Sequence, residues 1–149
     1  MSAGEYCNRD VVIVEKSESI REAINLMRDR HVGDVVVVEM LENATRPVGI
    51  LTDRDIVVEI LAEDVDLDAV IVGDVMSYQL VTVPEDTKLI DAIKLMSNKG
   101  VRRLPVVNKQ NELQGILSVD DILELVVEQL SDIVGLITRE ITNEEKTRN

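Results

Sequence analysis

Two stretches of this chain are copies of one another, and that repeat restricts the possible folds more than any other feature. AINLMRDRHVGDVVVV (23–38) aligns with AIKLMSNKGVRRLPVV (92–107), placing Ala23 over Ala92, Met27 over Met96 and Val32 over Val101. GILTDRDI (49–56) returns as GILSVDDI (115–122). The offset is 69 residues for the first pair and 66 for the second, so the first copy holds three more residues between them. They fall in EMLENATRP, opposite NKQNEL in the second copy, and are expected in a surface loop.

Both copies read in the same order. A short apolar strand, VVIV (11–14) or LVTV (80–83), precedes a helix at about 19–30 or 87–98. Ile20, Ala23, Ile24 and Met27 recur at helical spacing, mirrored by Ile90, Ile93 and Met96. Strands follow at 35–38 or 104–107 and around 48–51 or 114–117, and a helix opens after Thr52 or Ser118. The unbroken valines at 35–38 predict a strand buried on both faces. Pro105 removes a ladder donor, so its strand is expected to begin or edge its sheet there. Such an α+β unit of about 60 residues is marginal alone, and two copies are expected to pack face to face.

Composition narrows the function classes. With 149 residues, no Phe, no Trp and two Tyr, the core must be Val, Ile, Leu and Met. A net charge of −13 and the lack of stacking rings argue against nucleic acid as a partner. No stretch approaches the roughly 20 apolar residues of a membrane span, and MSAGEYCNRD is no signal sequence. Cys7 is the only cysteine, which excludes an internal disulfide and a cysteine-based zinc cluster; His31, the only histidine, makes no metal site by itself. A cytoplasmic location is the expectation. Asp120–Asp121 and Glu144–Glu145 have no nucleophile or second catalytic group placed beside them, so no catalytic residue and no enzyme is expected.

The Gly-apolar-apolar-Thr/Ser-x-x-Asp-Ile order, the preceding LPVV strand and the linker VGDVMSYQLVTVPEDT resemble a tandem pair of CBS domains, a Bateman module, over about residues 8–130. The resemblance implies a pseudo-twofold pair of β-α-β-β-α units packed through their sheets. Repeat 1 spans 8–72 and repeat 2 spans 73–130, leaving 131–149 as a C-terminal helical extension with a frayed end at 142–149. It also implies two clefts between the repeats and a homodimer.

The octets admit two readings. Thr52 or Ser118 ahead of an apolar helix, with Asp55 or Asp121 three residues on, matches a capping box, and Gly49 and Gly115 then serve only a turn. The same hydroxyl and carboxylate at a helix N-terminus can grip a ribose, the carboxylate accepting from both ring hydroxyls. The resemblance implies the second role, with Ile50 or Ile116 against an adenine. One cleft would hold Thr52, Asp55 and Ile50 with Thr87, Ala92, Val101 and Arg102 from the other repeat. The second would hold Ser118, Asp121 and Ile116 with Glu18, Ala23, Val32 and Gly33, and Arg103 as its phosphate clamp. Two positions depart from the family pattern. Asp34 stands where Arg103 does in the other repeat, making the Thr52 cleft the poorer one for AMP or ATP unless Arg102, Arg54 or Lys99 compensates. A cationic ligand such as S-adenosylmethionine would suit it better. Glu18 replaces a hydroxyl.

The function so implied is a stand-alone regulatory module that binds adenosine-containing nucleotides without turnover and has no resident cofactor. The alternative is a ligand-independent dimerisation or docking module whose octets only cap helices. A helical apolar stripe from Ile122 through Leu125, Val126, Leu130, Ile133, Val134, Ile137 and Ile141 is available for core packing or a dimer contact.

Overall fold

The alternation of apolar segments builds two three-stranded sheets in this computed structural model, which describes residues 1–148. Residues Met1–Leu117 form one compact body and those from Ser118 onward a second. In the first copy β1 (Ile13–Glu15) lies parallel to β2 (Asp34–Leu41), which pairs antiparallel with β3 (Ala44–Thr52). In the second, β4 (Val83–Pro84) lies parallel to β5 (Arg103–Val107), with β6 (Leu113–Ser118) on its other side. Valines 35–38 are all buried, as a central strand requires.

The helices bury the face that the repeat indicates. In α2 (Ile20–Arg30) the buried residues are Ile20, Ala23 and Met27; in α5 (Leu89–Lys99) they are Leu89, Ala92 and Met96. Ile90 and Ile93 are 61% and 39% exposed, contrary to their expected place in the stripe. Leu89 takes the position of Ile20, and the next residue points about 100° round the helix. Ser19 Oγ caps α2 by accepting from Glu22 N at 3.1 Å, whereas Lys88 gives α5 no side-chain cap. Both helices end on a left-handed residue, Gly100 (φ 65°) in one copy and His31 (φ 54°) in the other.

Three sequence expectations change. Pro105 lies in the central strand of its sheet, because β4 pairs with β5 only at Val106 and Val107. In the first copy Val36 N donates to Val12 O at 3.0 Å; Pro105 occupies the matching position and has no N–H for Val81. The parallel ladder therefore starts later and is shorter. The three extra residues of the first copy do not enlarge a loop. They lengthen the β2–β3 hairpin as far as the Leu41–Ala44 pair, with a register shift between Val37 and Val38. Finally, the expected fraying at 142–148 gives way to helix: α6 runs from Val119 to Arg148, with hydroxyls of Thr142 and Thr147 bonded back to the carbonyls of Thr138 and Asn143.

The segment preceding each copy completes the other one. Residues 2–8, including α1 (Ala3–Tyr6), bond to the second copy: Ala3 N to Thr87 O at 2.8 Å, Gly4 N to Glu85 O at 2.9 Å, and Asn8 with Ile116 in both directions. Residues 71–77, including α4 (Val72–Val75), bond to the first: Val72 N to Glu18 O and Gly73 N to Lys16 O, both 2.9 Å, and Ser77 with Ile50 in both directions. The octet glycines are explained here. A Cβ on Gly49 would stand 2.6 Å from Ser77 O, and one on Gly115 would stand 2.5 Å from Cys7 Sγ. Both lie inside strands where a crossing segment comes close, not in turns.

Candidate functional site

Both octets place their hydroxyl at a helix start. Thr52 ends β3, and α3 (Asp53–Ile56) begins beyond it. Thr52 Oγ1 accepts from Asp55 N at 3.1 Å while Asp55 Oδ2 accepts from Thr52 N at 3.0 Å, a complete capping box. Ser118 Oγ likewise accepts from Asp121 N at 3.1 Å. The caps leave chemistry over, since the Thr52 hydroxyl still has a proton to donate and a second lone pair.

Beside Thr52 opens a cleft of about 300 Å³. Its floor comes from β2 and β3 (Asp34, Ile50, Thr52) and its far wall from the start of β5 (Val101, Arg102, Arg103). Ser77, Gln79, Leu80 and Val81 close it from the segment between the copies. Ile50, Leu80, Val81 and Val101 supply aliphatic side chains to the lining, and Asp34, Thr52, Ser77, Gln79, Arg102 and Arg103 supply polar ones. Among these, Arg103 Nε meets Asp34 Oδ2 at 2.9 Å. Arg103, expected as the phosphate clamp of the Ser118 cleft, lines this one, paired with the very carboxylate expected to repel a phosphate. The Asp34 side chain is only 14% exposed. Burial pushes its carboxyl above the ordinary range; the Arg103 guanidinium pulls the other way and Asp53 adds to the rise, so desolvation wins over the ion pair.

Of the seven residues expected around Thr52, the structure brings Ile50, Thr52, Val101 and Arg102 to the cleft. Ala92 is fully buried in the core face of α5, and Thr87 offers its carbonyl to Ala3 N. Asp55 lines a neighbouring acidic hollow with Glu59 and Asp74. Of the residues expected around Ser118, Ala23 is fully buried in α2, and Glu18, Val32, Gly33 and Ile116 are partly exposed. Burial is the main cause raising the Glu18 carboxyl; a backbone hydrogen bond at Glu15 opposes it, and the charges of Glu22 and Glu15 add to the rise. Sequence reasoning missed Ser77, Gln79, Leu80 and Val81. Their signal was present: residues 79–81 stand 69 positions after 10–12, in a stretch read only as a strand start. Among the described residues no group of three or more His, Cys, Asp or Glu is placed to hold a metal ion, and no helix is long and apolar enough to cross a membrane.

Comparison with known proteins agrees with this architecture. The family model described as CBS domain matches twice, at residues 3–62 and 72–128. The CBS domain-containing protein YhcV of Bacillus subtilis is 38% identical over 131 residues, covering 88% of this chain and 87% of that protein. An uncharacterized protein of Methanopyrus kandleri is 38% identical over 125 residues, covering 84% of this chain. The chain spans 62% of that relative and only 15% of a homoserine O-acetyltransferase of Methanosalsum zhilinae that also matches. Among solved structures, the CBS-pair protein CBSX2 of Arabidopsis thaliana superposes with a TM-score of 0.74 at 24% identity, covering 87% of this chain and 96% of that one. The cytosolic domain of the Mg2+ channel MgtE in complex with ATP superposes with a TM-score of 0.70 at 27% identity, covering 83% and 48%.

Proposed function

Because this chain belongs to the CBS-domain family and carries two copies of the domain, we propose that it is a regulatory module binding an adenosine-containing nucleotide in the Thr52 cleft. The observation that carries this reading is the cleft itself, whose lining combines aliphatic side chains with the Thr52 hydroxyl, the Asp34 carboxylate and the guanidinium groups of Arg102 and Arg103. A purine fits between Ile50 and the Leu80–Val101 side, where the missing N–H of Pro105 leaves the Val81 carbonyl able to accept from an exocyclic amine. The Thr52 hydroxyl serves the ribose, and Arg102 and Arg103 serve phosphate once Arg103 leaves Asp34. Ser118 and Asp121 repeat the cap geometry and are proposed as a second ribose grip. The MgtE structure with ATP supports the ligand class. The ligand is sensed rather than turned over: binding bridges the two copies and shifts their packing, felt by a bound protein or by a second copy in a homodimer.

Calorimetric titration with adenosine, AMP, ADP, ATP and S-adenosylmethionine tests the reading. Binding of one or more at micromolar to low-millimolar concentration, lost in Thr52→Ala and Ile50→Asp, is expected; no heat and no thermal shift with any of them overturns it. A second reading rests on the complete Thr52–Asp55 capping box: a docking module whose octets only hold helices. It predicts that Thr52→Ala lowers stability by about 1 kcal/mol and that no ligand changes it.

A further inference from the structure

Helix α6 carries an apolar surface that the nucleotide reading does not use. It runs 30 residues, Val119–Arg148, and none of them is buried. Its large apolar side chains fall on a strict alternation of three and four: Leu123, Val127, Leu130, Val134, Ile137 and Ile141. That is a heptad with β-branched residues at a (Val127, Val134, Ile141) and Leu or Ile at d (Leu123, Leu130, Ile137). All six are between 51% and 61% exposed. Val126 and Ile133 widen the seam at g, and Leu136 extends it further on that side. A helix this apolar along one face is not left in water.

We infer that this face pairs with the same face of a second copy, antiparallel, centred near Asp132. The spacing suits a twin. Set antiparallel about that point, Leu123 meets Ile141, Val127 meets Ile137 and Leu130 meets Val134, so every a residue meets a d residue and the set is self-complementary, as a twofold contact must be. Charge selects the direction. Between Val119 and Val134 the helix carries Asp120, Asp121, Glu124, Glu128 and Asp132 with no basic residue, and its cations, Arg139, Lys146 and Arg148, all lie in the last ten described residues. A parallel pair lines acid against acid along the first half. An antiparallel pair instead sets that half, with its five acids, against a half in which three cations balance Glu140, Glu144 and Glu145. The area is sufficient. The exposed parts of the nine apolar side chains come to about 600 Å² per copy and about 1,200 Å² per pair, the lower bound for a specific interface.

The inference rests on the homodimer reading given above and assigns it a surface. Sedimentation equilibrium of the full chain is expected to give a dimer, and Leu130→Glu with Val134→Glu a monomer, with association weakened at least 100-fold and the thermal transition of residues 1–117 unchanged. A variant that stays dimeric overturns the α6 surface but leaves the homodimer; a monomeric wild-type chain at about 100 μM overturns both. Direction is read from spin labels at Glu144→Cys in a Cys7→Ala background. An antiparallel pair separates the two labels by about 36 Å, some 24 residues of helix rise. A separation near the 8–10 Å interaxial spacing overturns the antiparallel arrangement.

Discussion

Asp34→Asn separates the ligand reading from the docking reading most sharply. The carboxylate lies 2.9 Å from Arg103 Nε, is largely buried, and lines the cleft. A nucleotide phosphate placed against Arg103 would stand about 6 Å from it, where two unit charges at an effective dielectric near 20 repel by about 2.8 kcal/mol. Solvent at the cleft mouth reduces this, and the freed guanidinium adds attraction, so ATP should bind about 10- to 100-fold more tightly to the variant. Adenosine, which has no charge, should change by less than about threefold. The variant should also fold well. Burial raises the Asp34 carboxyl above its reference value of 3.8, so the folded chain holds this proton more strongly than the unfolded one. The resulting stability is fully present below the unfolded value and is lost as pH rises through the raised folded value. Asn removes that slope, and Arg103, 38% exposed, keeps enough water to tolerate the loss of its partner. Calorimetric titration with both ligands, and denaturant melts at pH 4 and pH 7, read these effects. If ATP and adenosine tighten by the same factor, or ATP weakens, Arg103 does not receive phosphate in this cleft and the site assignment fails.

Four further substitutions have expected outcomes. His31→Gly should stabilise the chain by about 1 kcal/mol in thermal or urea melts, since glycine fills the matching left-handed cap at Gly100; a loss of stability would show that the imidazole makes a contact worth more than the backbone strain. Gly49→Ala should cost about 1–3 kcal/mol by forcing Ser77 away and breaking its two bonds with Ile50, read by the same melts, whereas Gly135→Ala, in open space on a helix, should stabilise by about 1 kcal/mol. Pro105→Val should restore the donor toward Val81, and the titration should show adenosine losing affinity more than inosine, which lacks the exocyclic amine; equal loss would remove Val81 from purine recognition.

Local chemistry was legible in the sequence, and contacts between distant segments were not. The register of the two copies gave the strand-helix-strand-strand-helix order, the buried face of α2 and both hydroxyl caps, because each depends on residues within a few positions of one another, whereas the stripe read for α5 was right only at Met96. Gly49 and Gly115 looked like turn residues because a strand glycine is explained only by what crosses it, and the crossing segments are Ser77 and Cys7–Asn8. The pairing of Arg103 with Asp34 was hidden for a related reason. Sequence symmetry matches Asp34 to Arg103 as equivalent positions, and it does not say that equivalent positions near a pseudo-twofold axis also approach each other. At the axis a residue and its counterpart become neighbours, so a duplicated arginine there would set two cations in contact. Divergence to Asp34 and Arg103 turns that repulsion into an ion pair. The asymmetry first read as a defect of one site is therefore what allows the two copies to pack with charged groups at their junction.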